Sequence, residues 1–127
     1  MFDYRKTKLF LITDNTSLYE AFNSVCQMIG WNIEIVFHPS TDISKYTPDI
    51  VVLDYKFIGN KELVIKNDFH EYTQTFIFNI KPENDDIPHY GVSRLTNTYI
   101  TVEMVREIQS QFASYQMNWI KSGFRYN

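Results

Sequence analysis

The chain has 127 residues, with twelve Lys and Arg against fifteen Asp and Glu, for a formal charge of −3. This length suits one domain, and the 44% hydrophobic share excludes wholesale disorder. The acidic balance argues against non-specific nucleic-acid binding, which requires phosphate neutralisation.

The single cysteine, Cys26, excludes an internal disulfide and a multi-cysteine zinc site. It lies in an apolar helical pattern and reads as a buried, inert thiol. The sequence shows no signal segment and no apolar run of membrane-spanning length, so the expected location is the cytoplasm. Neither repeats nor linkers interrupt the chain. The expected organisation is one domain over 1–127, with a core at about 8–115 and a C-terminal helix and tail to 127.

The run Lys8-Leu9-Phe10-Leu11-Ile12-Thr13 reads as a strand buried on both faces. Asp14-Asn15-Thr16-Ser17 then turns the chain and caps a helix. That helix carries Leu18, Phe22, Val25, Cys26 and Ile29 at helical spacing and stops at Gly30. A second strand is expected over 32–37. Residues 42–46 form at most a short helix. Asp49-Ile50-Val51-Val52-Leu53-Asp54 is a β-branched third strand. Gly59-Asn60 breaks the loop that follows. Ile65, Phe69 and Tyr72 then define one face of a helix.

A fourth strand is expected over 75–80, stopped by Lys81-Pro82. The acidic stretch 83–88 reads as a loop or a single turn. A weakly patterned fifth strand follows over 90–95. From Thr101 onward, Val102, Val105, Ile108, Phe112, Tyr115 and Trp119 mark an amphipathic helix of about 20 residues and 30 Å. Strands alternating with helices imply a flavodoxin-like, doubly wound, five-stranded parallel sheet, with the fourth helix shortened or missing.

In such a sheet ligands bind beyond the carboxyl ends of the strands. Two strands deliver acids there, Asp14 and Asp54. Paired carboxylates suit a hard cation such as Mg²⁺, and a carboxylate beside that cation can attack a phosphoryl donor.

The runs Lys8-Leu9-Phe10-Leu11-Ile12-Thr13-Asp14-Asn15 and Pro48-Asp49-Ile50-Val51-Val52-Leu53-Asp54-Tyr55 resemble the first and third strands of response-regulator receiver domains. The resemblance implies Asp54 as phosphoacceptor and Asp14 as a Mg²⁺ ligand. Three positions depart from the family pattern. Thr13 stands where receivers carry an additional acid, which weakens any Mg²⁺ site. Asn79-Ile80 stands in place of the Ser or Thr that ends the fourth strand. Arg94-Leu95-Thr96 stands in place of Lys-Pro, and Lys81-Pro82 lies too early to be that pair.

Together these features imply a degenerate, pseudo-receiver module for two-component signalling that acts by protein contact and turns over no substrate. Thr13, Asn79, Lys81 and Arg94 are its switch-like neighbours, and its cofactor is none or weakly bound Mg²⁺. Asp54 alone also reads as a strand-end carboxylate that caps a turn or pairs with Lys81 or Lys56. The alternatives are an atypical receiver phosphorylated on Asp54 with Mg²⁺, and a flavodoxin-like binder of a small anion.

Met104, Tyr115, Met117, Ile120 and Phe124 form a second apolar set suited to a protein partner or a homodimer. Neither direct nucleic-acid nor membrane binding is expected. His38, His70 and His89 lack ligand spacing, and Arg5, Lys6 and Lys8 read as a solvated basic cluster. No P-loop, nucleophile elbow or dinucleotide fingerprint is present.

Overall fold

The computed structural model describes residues 6–59, 73–80, 92–95 and 99–121, with 92, 115 and 117–121 described by backbone alone. The elements are β1 (Lys8–Ile12), α1 (Thr16–Ile29), β2 (Glu34–Phe37), β3 (Ile50–Asp54), α2 (Tyr55–Ile58), β4 (Gln74–Phe78), β5 (Val92–Arg94) and α3 (Val102–Lys121). The five strands form one sheet in the order β2-β1-β3-β4-β5. Every neighbouring pair is parallel. This is an α/β fold.

Strand alternation divides the core between two faces. Leu9, Leu11, Ile50, Val52, Phe76 and Phe78 point to one side. There they meet Phe22, Val25 and Cys26 of α1 and Met104, Val105, Ile108 and Phe112 of α3. Phe10, Ile12, Val51, Leu53 and Ile77 point to the other side, against Ile43, Ile58 and Ile80. Because β1, β3 and β4 are apolar at consecutive positions, both faces are covered. Removing a ring such as Phe22 or Phe76 from sites this buried typically costs about 3–5 kcal/mol.

α1 forms for local reasons that the sequence displays. Asn15 caps it, its side chain accepting from the Ser17 amide at 3.0 Å. Gly30 ends it at φ 74°, a left-handed conformation open to glycine. The Gly30 and Trp31 amides then return to the Gln27 and Cys26 carbonyls at 3.3 and 2.9 Å, closing a Schellman-type stop.

The 42–46 segment is a turn closed from the Tyr46 amide to the Ile43 carbonyl at 3.0 Å. It drives Ile43 fully into the core. α3 runs for 20 residues, as its periodicity predicts. No helix among the described residues is long and apolar enough to cross a membrane.

Some boundaries differ from expectation. β2 starts at Glu34, two residues later than predicted. β4 ends at Phe78, because Asn79 adopts φ 68° and leaves the extended region. The one-turn helix α2 lacks the length to produce a periodic signal. Met104, expected on a partner surface, is fully buried between α3 and the sheet, since its place in the helical repeat faces inward. The expected helix carrying Ile65, Phe69 and Tyr72, the 83–88 loop and any fourth helix lie outside the described residues. So do Lys81, His70, His89, Arg5 and Phe124, and the side chains of Tyr115, Met117 and Ile120.

Candidate functional site

β1 and β3 are adjacent, yet β1 pairs on its other side with β2, so the strand order reverses between β1 and β3. Loops leaving two such strands diverge and leave a crevice beyond the carboxyl ends. A crevice of about 530 Å³ lies there, lined by Asp14, Asn15, Thr16, Asp54, Lys56 and Phe57. The two acids singled out in the sequence therefore share one rim. Their environments are unlike.

Asp14 is exposed in the turn that enters α1. Asp54 is only 3% exposed and forms the floor of the crevice. Burying a carboxylate is costly unless its oxygens find donors. Here three do so. The Thr13 hydroxyl donates to Oδ2 at 2.8 Å. Asn79 Nδ2 and the Lys56 backbone amide both donate to Oδ1 at 3.1 Å.

Thr13 is itself fully buried and accepts from the Asn15 amide at 3.1 Å. The carboxylate thus joins the ends of β1, β3 and β4 to the first turns of α1 and α2. The Asp54 side chain caps α2, fulfilling the turn-capping role its position suggested. Its contact with Lys56 runs through the backbone N–H and not the ammonium group.

Of the switch-like neighbours, Thr13 and Asn79 touch Asp54 directly. Arg94 ends β5 with an exposed side chain and is absent from the crevice wall. Lys56, Phe57, Asn15 and Thr16 complete the wall. Asn15 was legible as a helix cap, whereas Phe57 carried no sequence signal.

The donor set suits Mg²⁺ poorly. Among the described residues no group of three or more His, Cys, Asp or Glu side chains could hold a metal ion. Asp54 Oδ1 already accepts two hydrogen bonds and Oδ2 one, and a carboxylate oxygen has two lone pairs. A hard cation would have to displace these donors or rely on the remaining Oδ2 lone pair and Asp14.

Other titratable groups lie apart. His38 sits with its ring centroid 5.2 Å from both Phe10 and Tyr46. Its Nε2 is 3.2 Å from the Asp42 carbonyl, which can only accept, so that nitrogen carries the proton. The Ser44 hydroxyl and amide hold the Asp42 carboxyl below its ordinary range. Burial pushes the Cys26 thiol up to about 11, consistent with an inert core cysteine.

No protein-family model, curated protein or solved structure matches the chain.

Proposed function

We propose that the protein is a signal-transduction regulatory module of pseudo-receiver type, with a flavodoxin-like doubly wound fold. It acts through protein–protein contact without standard aspartyl phosphorylation. The observation that carries this reading is the engagement of the buried Asp54 carboxylate by Thr13, Asn79 and the Lys56 amide. A phosphoacceptor must present a free oxygen lone pair to an incoming phosphorus centre, in line with the leaving group. Asp54 commits three of its four acceptor sites to neutral donors of its own chain, leaving a single lone pair on Oδ2.

The strand order supports the same reading, because 2-1-3-4-5 is one of the two common doubly wound orders. So do the two residues that resemble and yet depart from the receiver pattern. Thr13 replaces a charge with a hydroxyl, and Asn79 replaces a hydroxyl with an amide. Both substitutes serve Asp54 directly. The residual role is to present a surface, with the partner contact assigned to the C-terminal helix and tail, where the sequence places Tyr115, Met117, Ile120 and Phe124.

The test is mass spectrometry of the intact chain after incubation with acetyl phosphate and Mg²⁺. The expected result is an unchanged mass. A phosphoryl adduct mapped to Asp54 would overturn the proposal in favour of an atypical, phosphorylated receiver.

A further inference from the structure

Asn79 is the one non-glycine residue with positive φ among those described, at 68°. Asparagine tolerates this region better than other side chains but does not prefer it, so the surroundings must hold it there. One restraint is visible. The Asn79 side chain reaches back to Asp54 Oδ1 at 3.1 Å. The reversal of direction at Asn79 then returns the next residue, Ile80, to the core. Ile80 is 8% exposed and packs in the cluster formed by Phe10, Ile12, Ile43, Val51, Leu53, Ile58 and Ile77.

We propose that Asn79 is a strained catch set by Asp54, through which the state of the carboxylate is transmitted to the packing of Ile80. While Oδ1 accepts from Asn79, the left-handed turn is held and Ile80 is seated. A group that takes Oδ1 for itself removes the tether. Asn79 then relaxes toward negative φ, and Ile80 is redirected away from its cluster. The coupling has a physical basis because the two arrangements of the turn differ in a discrete backbone state, not in a graded shift. Asn79 is a positioning residue in this scheme. The scheme's regulatory use rests on the proposed reading of Asp54 as a carboxylate held by its neighbours. The coupling itself depends only on the hydrogen bond and the backbone angle.

The experiment is nuclear Overhauser spectroscopy on the full chain. A left-handed residue has a short intraresidue amide-to-Hα distance and hence a strong cross-peak. In Asp54→Ala this peak at Asn79 should fall several-fold, as the amide-to-Hα distance lengthens on leaving the left-handed region. The Ile80 methyl cross-peaks to its core cluster should weaken with it.

Combining Asp54→Ala with Asn79→Gly should restore the Ile80 contacts, because glycine adopts positive φ at no steric cost and needs no tether. An unchanged Asn79 peak in folded Asp54→Ala would overturn the proposal, as would loss of the Ile80 contacts in Asn79→Gly alone. Should Asp54→Ala fail to fold, Asp54→Leu, which offers no acceptor to Asn79, is scored by the same criteria. Phosphorylation of the wild-type chain would defeat the functional reading while leaving this coupling to be judged by the variants.

Discussion

Asp49, just before β3, and Asp54, its last residue, each bond to a residue at the matching end of β1, 41 positions earlier, and they do so by different means. At the amino end, Asp49 Oδ2 accepts from the Lys8 backbone amide at 2.8 Å, and Thr73 donates to the Pro48 carbonyl at 2.7 Å. In each of these two contacts one partner is a main-chain group that any residue would supply. At the carboxyl end, Asp54 is met by the side chains of Thr13 and Asn79, so residue identity decides whether the bonds form. The amino end fastens the sheet, whereas the carboxyl end is built for one particular carboxylate.

The comparison breaks first at Asp54. Asp54→Ala removes three acceptor contacts and strands a buried hydroxyl and an amide, so the expected loss is about 3 kcal/mol. Asp49→Ala loses acceptors at a half-buried position, and the expected cost is about 1 kcal/mol. Urea unfolding of the two variants measures the gap. Equal losses would mean that the carboxyl end is an ordinary fastening and would remove the asymmetry on which the functional reading stands.

Thr13→Val sharpens the same point. It keeps the shape of the buried side chain but deletes the hydroxyl that donates to Asp54 and accepts from Asn15. A loss of about 1–2 kcal/mol is expected from the unpaired Oδ2 and the orphaned amide at the start of α1. Thr13→Ser should recover most of it in the same measurement. A valine variant as stable as wild type would show that the hydroxyl contributes nothing to holding the carboxylate.

Much of the fold was legible because burial and periodicity coincide. β1 and β3 appear as apolar runs with an acid at or just beyond the carboxyl end, and α3 keeps its inward stripe from Val102 through Phe112. Met104 shows where that reading fails. It is apolar and lies one residue from Val105 in the same helix, so its type gives no hint whether it faces the sheet or a partner. A helix that packs across two or three strands buries a wider arc than a simple stripe, and Met104 falls within that arc.

The site was legible in its acids and opaque in its bonds. That Asp14 and Asp54 share a rim follows from strand-end position. That Thr13 and Asn79 serve Asp54 depends on the sheet order, which brings the ends of β1 and β4 to opposite sides of β3. The positive φ of Asn79 leaves only a weak trace in the sequence, the tolerance of asparagine for that region.

The smallest expected effect concerns Cys26, which lies in the α1–α3 core cluster and shares no hydrogen bond with either end of β3. Its native thiol is pushed up to about 11 by burial, whereas an unfolded cysteine ionises near about 8.5. The native state therefore holds its proton more tightly than the unfolded state does. The associated stability is complete below about pH 8.5 and is lost as the pH rises toward about 11. The informative quantity is the difference between wild type and Cys26→Ala, since the subtraction isolates the thiol. That difference in urea midpoint should shrink steadily from pH 8 to pH 11 and stay flat below pH 8. The Asp54-to-Asp49 contrast should remain unchanged over the same range, because neither aspartate bonds to the Cys26 thiol. If the contrast collapsed together with the Cys26 effect, the alkaline transition would be a general loosening of the core, and the two ends of β3 would not be independent of it.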